Sequence, residues 1–241
     1  MKAMILAAGF GERLRPLTEH TPKPLLKVGV KPLIQYHIER LAAVGVRELV
    51  INTSWLGDQI ESFLGDGSRF GVSIDWSRET DPLDTGGGIR RALPLLGSEP
   101  FLVINGDIWT DYPLQTLVDR DWSDDMEAHL VLVPNPVHNP KGDFALDAQC
   151  NICYPSISDE SFTFSGMSVM RPELFALFSS ASEKFPIRDV LVDIIKGGYV
   201  SGEVFRDTWW DVGTVERLQA LNTLVSGREV NLEKKSKLRA S

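Results

Sequence analysis

The residues best equipped for chemistry crowd the first tenth of the chain. In "MILAAGFGERLRPLTEHTPKPLL", residues 4–26, Gly9 and Gly11 lie in a G-F-G-E-R loop. Such a loop can wrap an anion with its backbone N–H groups, and Arg13 and Arg15 add planar forks of donors suited to phosphate oxygens. Lys23 stands between Pro22 and Pro24, which stiffen the backbone beneath its ammonium. Farther on, Asp107 follows the apolar run "FLVIN" and Asp211 follows "TWW". Carboxylates at strand ends suit Mg²⁺, which joins one or two protein oxygens to phosphate oxygens and water. From sequence alone, a turn aspartate at 107 and a helix-start aspartate at 211 remain equally open.

The loop departs from two familiar phosphate loops. A G-x-G-x-x-G dinucleotide fingerprint would put glycine at position 14, where Leu14 stands, and Pro16 follows closely. A dehydrogenase would also end its second strand on an acidic residue, where this chain has Asn52. No G-K-[ST] follows at the spacing a Walker A loop requires.

Composition narrows the classes. The 241 residues are 43% hydrophobic and 24% charged, enough for one sizeable α/β domain. A net charge of −8 argues against general affinity for nucleic acid or anionic membrane. Residues 1–31 break that balance: Lys2, Arg13, Arg15, Lys23, Lys27 and Lys31 face only Glu12 and Glu19. A basic segment around a glycine loop in an acidic chain points to a bound anion. No apolar run is long enough to span a membrane, and "MKAMILAAGF" turns to glycine before a signal-peptide core develops, so a cytoplasmic location is expected. Cys150 and Cys153 form a lone C-x-x-C in a strand or turn, which reads as two small hydrophobes, without the second pair that zinc would want.

These residues need elements to position them. "KAMILA", "ELVIN", "VSIDW" and "FLVIN" read as buried strands. Between them lie helices: one on which Leu33, Ile34, His37, Ile38 and Leu41 share a face, one carrying Leu56, Ile60, Phe63 and Leu64, and one opened by "GGGIRRALPLL". Alternation of this kind predicts a mostly parallel sheet flanked by helices, with ligands beyond the carboxyl ends of its strands. Residues 8–15, Asn52, the glycines near 86 and Asp107 then share one rim. "HLVLV" and "FTFSGMSVM" are further strands, "PIRDVLVDIIKGG" is a helix, and Val215, Leu218, Leu221, Leu224 and Val225 keep the period of a last helix. Residues 227–241 read as a frayed polar tail.

Together, "LAAGFGERLRPLT…TPKPLL", "DTGGGI", "NGD" and "DVGT" resemble the sugar-1-phosphate nucleotidyltransferases. "SWLGDQIESFLGDGSRFGVSI", "DPLDTGGGI", "NGDIWTDY", "GDFAL", "FTFSG" and "DVGTVERL" are most similar to the short members that act on N-acetylmuramate 1-phosphate with UTP in bacterial cell-wall recycling. The resemblance covers the chain to about residue 225. It implies a Rossmann-like nucleotidyltransferase fold in a single domain over 1–226, with a nucleotide half to about 110 and a sugar half after it. It also implies a role for each candidate. Leu6, Ala7, Ala8, Gly9, Gly11, Glu12 and Asn52 would surround the nucleotide, and Gly86 and Gly87 would border its base. Arg13 and Lys23 would carry the catalytic charge, Asp107 and Asp211 would hold Mg²⁺, and Asn105, Asp143, Ser165 and Gly166 would lie near the sugar.

The implied reaction joins a nucleoside triphosphate to a sugar 1-phosphate and releases pyrophosphate, in a monomer or small homo-oligomer. Two other readings stand beside it: a mannose-1-phosphate guanylyltransferase or other hexose enzyme, and a non-catalytic nucleotide-sugar-binding regulatory protein. The chain departs from the pattern twice: the longer relatives' lysine in a glutamate-lysine-proline motif has no clear counterpart between residues 150 and 165, and one loop residue differs. Phe10 occupies a loop position where lysine is expected in the subgroup.

Overall fold

The computed structural model describes residues 1–121, 125–156, 159–176, 178 and 182–239, with side chains to residue 228. Strand β1 (Ala3–Leu6) runs into the glycine loop, which passes through single 3₁₀ turns at Glu12–Leu14, Leu17–Glu19 and Lys23–Leu25. A short ribbon of β2 (Lys27–Val28) and β3 (Lys31–Pro32) then leads to α1 (Leu33–Ala43). Alternation follows as the apolar periods predict: β4 (Glu48–Thr53), α2 (Gly57–Leu64), β5 (Ser73–Arg78), α3 (Asp84–Leu96) and β6 (Phe101–Asn105). The second half holds β7 (Ile108–Thr110), α4 (Gln115–Val118), β8 (Ala128–Val133), β9 (Ala145–Leu146), β10 (Ile152–Cys153) and β11 (Thr163–Met170). The last elements are α5 (Glu173–Ala176), α6 (Ile187–Lys196), β12 (Val200–Val204), β13 (Trp209–Asp211) and α7 (Val215–Arg239).

The central sheet has seven strands in the order β12-β8-β11-β6-β1-β4-β5. Only β11 runs antiparallel to its neighbours, so the sheet is mixed but mostly parallel. Its inner strands show why both faces are covered. Ala3, Ile5, Leu49, Ile51, Leu102 and Ile104 pack with Ile34, Ile38, Leu41 and Ile60 of α1 and α2. The intervening Met4, Val50 and Val103 pack with Ile89 and Ala92 of α3 and Val190 and Leu191 of α6. A strand buried on both faces has no polar alternation, which is why these segments read as plain apolar runs.

The chain leaves β1 for β4 on one side and returns through β6 on the other, so the sheet reverses direction around β1. Such a switch point leaves a crevice beyond the carboxyl ends of the strands. Leu6 pairs with Asn52 across one side and with Asn105 across the other, so three expected site residues stand in one row. A third apolar cluster joins Leu14, Val28 and Leu33 to Leu218, Leu221 and Val225 of α7, tying the last helix beneath the glycine loop. The polar stretch expected as a frayed tail continues that helix to Arg239.

Candidate active site

A cavity of about 210 Å³ opens at this crevice. Its walls include Leu6, Ala7, Ala8, Gly9, Gly11, Lys23, Asn52, Asn105 and Asp107, all expected from sequence. The loop is shaped by Gly11, at φ 66°, a left-handed conformation that glycine adopts at little cost. The Gly11 carbonyl accepts from Thr18 Oγ1 and Leu14 N, both at 2.9 Å. Among the described residues, the N–H groups of residues 9–13 donate to no backbone acceptor, so they remain available to an anion.

Asn52 is 3% exposed and uses both ends of its amide. Its Oδ1 accepts from Ala7 N at 2.7 Å, and its Nδ2 donates to Glu79 Oε1 at 2.7 Å. Glu79 Oε2 in turn accepts from Leu83 N at 2.8 Å. Asn52 therefore ties the exit of β1 to the approach to α3, and the Ala7 N–H is not free for phosphate.

The glycine run of α3 works differently from expectation. Gly86 and Gly87 do not line the cavity; their N–H groups donate to Phe185 O at 3.0 and 3.1 Å. A Cβ on Gly87 would lie 2.2 Å from Glu183 O, and one on Gly86 would lie 2.5 Å from the Phe185 ring. These residues admit a neighbouring segment, while Glu79, Pro82, Asp84 and Thr85 supply the wall that sequence assigned to them. Strand-end position could have flagged Glu79, which directly follows β5. Pro24 and Gly106 also line the cavity, and Gly106 packs where a Cβ would meet Leu6 O at 2.6 Å.

The charges form two sets. Lys23 Nζ lies 2.5 Å from Asp107 Oδ2 on the floor of the smaller cavity. Lys23 and Gly11 also line a second cavity, of about 500 Å³, with Arg13 and Glu12. Asp211 faces a third space of about 530 Å³ beside Trp209 and His138. Its carboxylate pairs with Arg217 and lies 3.2 Å from His138 Nε2. The two aspartates are nonetheless neighbours in the backbone. Asp211 pairs with Ile108 between β13 and β7, and Val212 N donates to Asp107 O at 2.7 Å.

The residues expected near the sugar also converge. Asp143 Oδ2 accepts from Phe164 N at 2.8 Å, just before a bulge in β11 at Ser165 and Gly166. Gly166, at φ 83°, presses on Asn105: a Cβ there would meet Asn105 Nδ2 at 2.7 Å. Ser165 is fully buried, its Oγ accepting from Met167 N and its carbonyl from Trp209 Nε1.

With this geometry in view, the relatives are informative. The nucleotidyl transferase family model matches residues 2–143. The N-acetylmuramate alpha-1-phosphate uridylyltransferase of Neisseria meningitidis is 48% identical over 227 residues, covering 93% of this chain and 98% of the relative. The chain belongs to the nucleotidyl transferase family. A mannose-1-phosphate guanyltransferase of Emericella nidulans is 32% identical over 88% of this chain and 61% of its own length. Among solved structures, a Bacillus anthracis protein described as a glucose-1-phosphate thymidylyltransferase superposes with a TM-score of 0.81 at 26% identity, covering 93% of this chain and 94% of its own. This is a sugar-1-phosphate nucleotidyltransferase with a Rossmann-like fold.

Divalent metal use is general in such transferases, and the donor set here fits it. No group of three or more His, Cys, Asp or Glu side chains gathers among the described residues, so these residues form no all-protein cage. Mg²⁺ does not require one, since it binds through one or two carboxylates and takes its other ligands from phosphates and water. Among the described residues, no helix of this transferase is long and apolar enough to cross a membrane.

Proposed function

We infer that this transferase joins UTP to N-acetylmuramate 1-phosphate, giving the nucleotide sugar and pyrophosphate. The observation that carries the reaction is the convergence of the loop amides, Lys23 and Asp107 on one crevice, with Arg13 in the adjoining cavity. The choice of sugar and base rests on likeness to the Neisseria enzyme across nearly the whole of both chains. Residues 1–226 act as one domain, and the protein works in the cytoplasm, in cell-wall recycling, as a monomer or small homo-oligomer.

The attacking sugar phosphate oxygen is already anionic, so no general base is needed. The difficulty is to bring anions together and stabilise charge at the α-phosphate, a task for fixed cations and amides. Loop amides and Arg13 hold the polyphosphate, and Lys23 stabilises charge as the bond to pyrophosphate breaks. Asp107 and Asp211 would hold Mg²⁺, which supplies further charge neutralisation when bound. Asn105, Asp143 and the bulge at Ser165 and Gly166 orient the sugar. Gly86 and Gly87 act through packing rather than by touching the base.

A pyrophosphate-release assay crossing UTP, GTP, CTP and dTTP with a panel of sugar 1-phosphates tests the reading. The highest kcat/KM is expected for UTP with N-acetylmuramate 1-phosphate. Preference for GTP with mannose 1-phosphate would favour the guanylyltransferase reading, which the Emericella relative supports. No turnover with any pair would favour a regulatory binding protein.

A further inference from the structure

The cavity that holds Arg13 has a wall drawn from far along the chain. Besides residues 10–14 and Lys23, its lining includes Lys184 and Gly213. Lys184 is exposed, and among the described residues its ammonium has no carboxylate partner. Its backbone is nevertheless fixed from both sides. Phe185 O accepts from Gly86 N and Gly87 N, and Phe185 N donates to Leu83 O at 3.1 Å. Ile187 N donates to Thr85 Oγ1 at 2.8 Å. The Phe185 ring is 4% exposed beneath the Arg90 guanidinium, and Glu183 O passes through the space that a side chain on Gly87 would fill. The glycine run of α3 thus seats the 183–185 segment, and that seating delivers Lys184 to the phosphate loop.

The loop itself leaves a place for such a charge. Phe10 lines the same cavity but carries none; its ring packs against Trp55, centroids 6.1 Å apart. Arg13 and Lys23 are the other cations in the lining, and Lys23 is engaged by Asp107. We propose that Lys184 contacts the polyphosphate of the nucleoside triphosphate, supplying from outside the loop a cation that position 10 does not provide. The proposal rests on the transferase reading and adds a binding residue to it. An ammonium is a mobile point charge with three donors, suited to phosphate oxygens whose position shifts as a bond breaks.

Calorimetric titration with inorganic tripolyphosphate and with UTP, beside steady-state pyrophosphate release, tests this. Lys184→Met is expected to weaken tripolyphosphate and UTP binding about tenfold, the scale of one charge-assisted hydrogen bond at an accessible site. KM for UTP should rise accordingly, while kcat stays within about threefold and KM for the sugar 1-phosphate holds. Lys184→Arg should keep the affinity. Adding Phe10→Lys to Lys184→Met should restore most of it, which a merely structural role for Lys184 would not allow. Tripolyphosphate affinity within about twofold of wild type in Lys184→Met, or an effect confined to KM for the sugar 1-phosphate, overturns the proposal. The two readings fail separately. Binding of tripolyphosphate that depends on Lys184, without turnover of any substrate pair, refutes the transferase reading and leaves Lys184 in its role. Turnover that is indifferent to Lys184→Met does the reverse.

Discussion

Lys23 and Asp107 form an ion pair, Nζ to Oδ2 at 2.5 Å, that joins the proline-held loop to the end of β6. They are 84 residues apart in sequence. Lys23 is the more enclosed of the two, its side chain 12% exposed against 37% for Asp107. Each orients the other, and each is available to a phosphate or a metal ion only as that pairing is shared or exchanged.

The first prediction follows from that pairing. Asp107→Asn and Lys23→Met should each lower kcat/KM by about 10²–10³, the usual cost of removing one preorganised charge. Because the two groups touch, their effects should not add: the double variant should fall short of the product of the single losses by at least about fivefold. Pyrophosphate release across a Mg²⁺ titration measures this, with circular dichroism reporting the fold. Strict additivity would mean that the pair is incidental, and wild-type turnover in Asp107→Asn would remove it from the metal site.

The second concerns Gly87, where geometry leaves no room for a methyl group. Gly87→Ala places a Cβ 2.2 Å from Glu183 O, and the clash is with backbone, which cannot rotate aside. Overpacking of this kind typically costs about 1–3 kcal/mol. Denaturant unfolding should show a loss in that range, together with weaker tripolyphosphate binding, although residue 87 does not line the site. Unchanged stability would show that the 183–185 segment moves freely from α3.

Much of this arrangement was legible in the residues. Apolar runs of strand length, without polar alternation, pointed to the sheet. The strand-end rule put residues 8–15, Asn52 and Asp107 on one rim, together with glycines near 86 that pack on Phe185 instead. Close approaches were less legible. Nothing in "DTGGG" says that its glycines make way for the distant segment Glu183–Phe185, since that requires knowing how α3 meets the residues before α6. For the same reason Lys184 carried no signal: one lysine in an irregular stretch is ordinary until the fold brings it beside Arg13. The two aspartates fall between these cases. Their strand-end positions were readable and their backbones do meet, but the turn of Asp211 toward Arg217 and His138 depends on side chains from two other segments.

The third prediction is a loss of stability in mild acid. His37 is buried beside Ile108 and Asp107, and burial, with the Arg40 guanidinium nearby, lowers its pKa from 6.5 to about 4. His129 lies fully buried with Nδ1 on Ser201 Oγ at 2.8 Å, and burial, with Arg120 nearby, lowers its pKa to about 3. Glu203 Oε2, 3.9 Å from His129 Nε2, does not reverse that; it is engaged through its other oxygen by the Tyr112 hydroxyl. Both rings are therefore neutral in the folded chain until the pH falls well below the value at which the unfolded chain protonates them. Between pH 6.5 and about 4 the unfolded state binds more protons, so unfolding free energy must decrease as pH falls. The slope is at most about 1.4 kcal/mol per pH unit for each histidine, and these groups add none above pH 7. Urea unfolding at intervals from pH 7.5 to 4.5 measures the slope, and His37→Gln should remove about one proton's share of it whatever its effect on stability at neutral pH. An unchanged slope in His37→Gln would mean that the ring is already protonated in the native chain, against its burial.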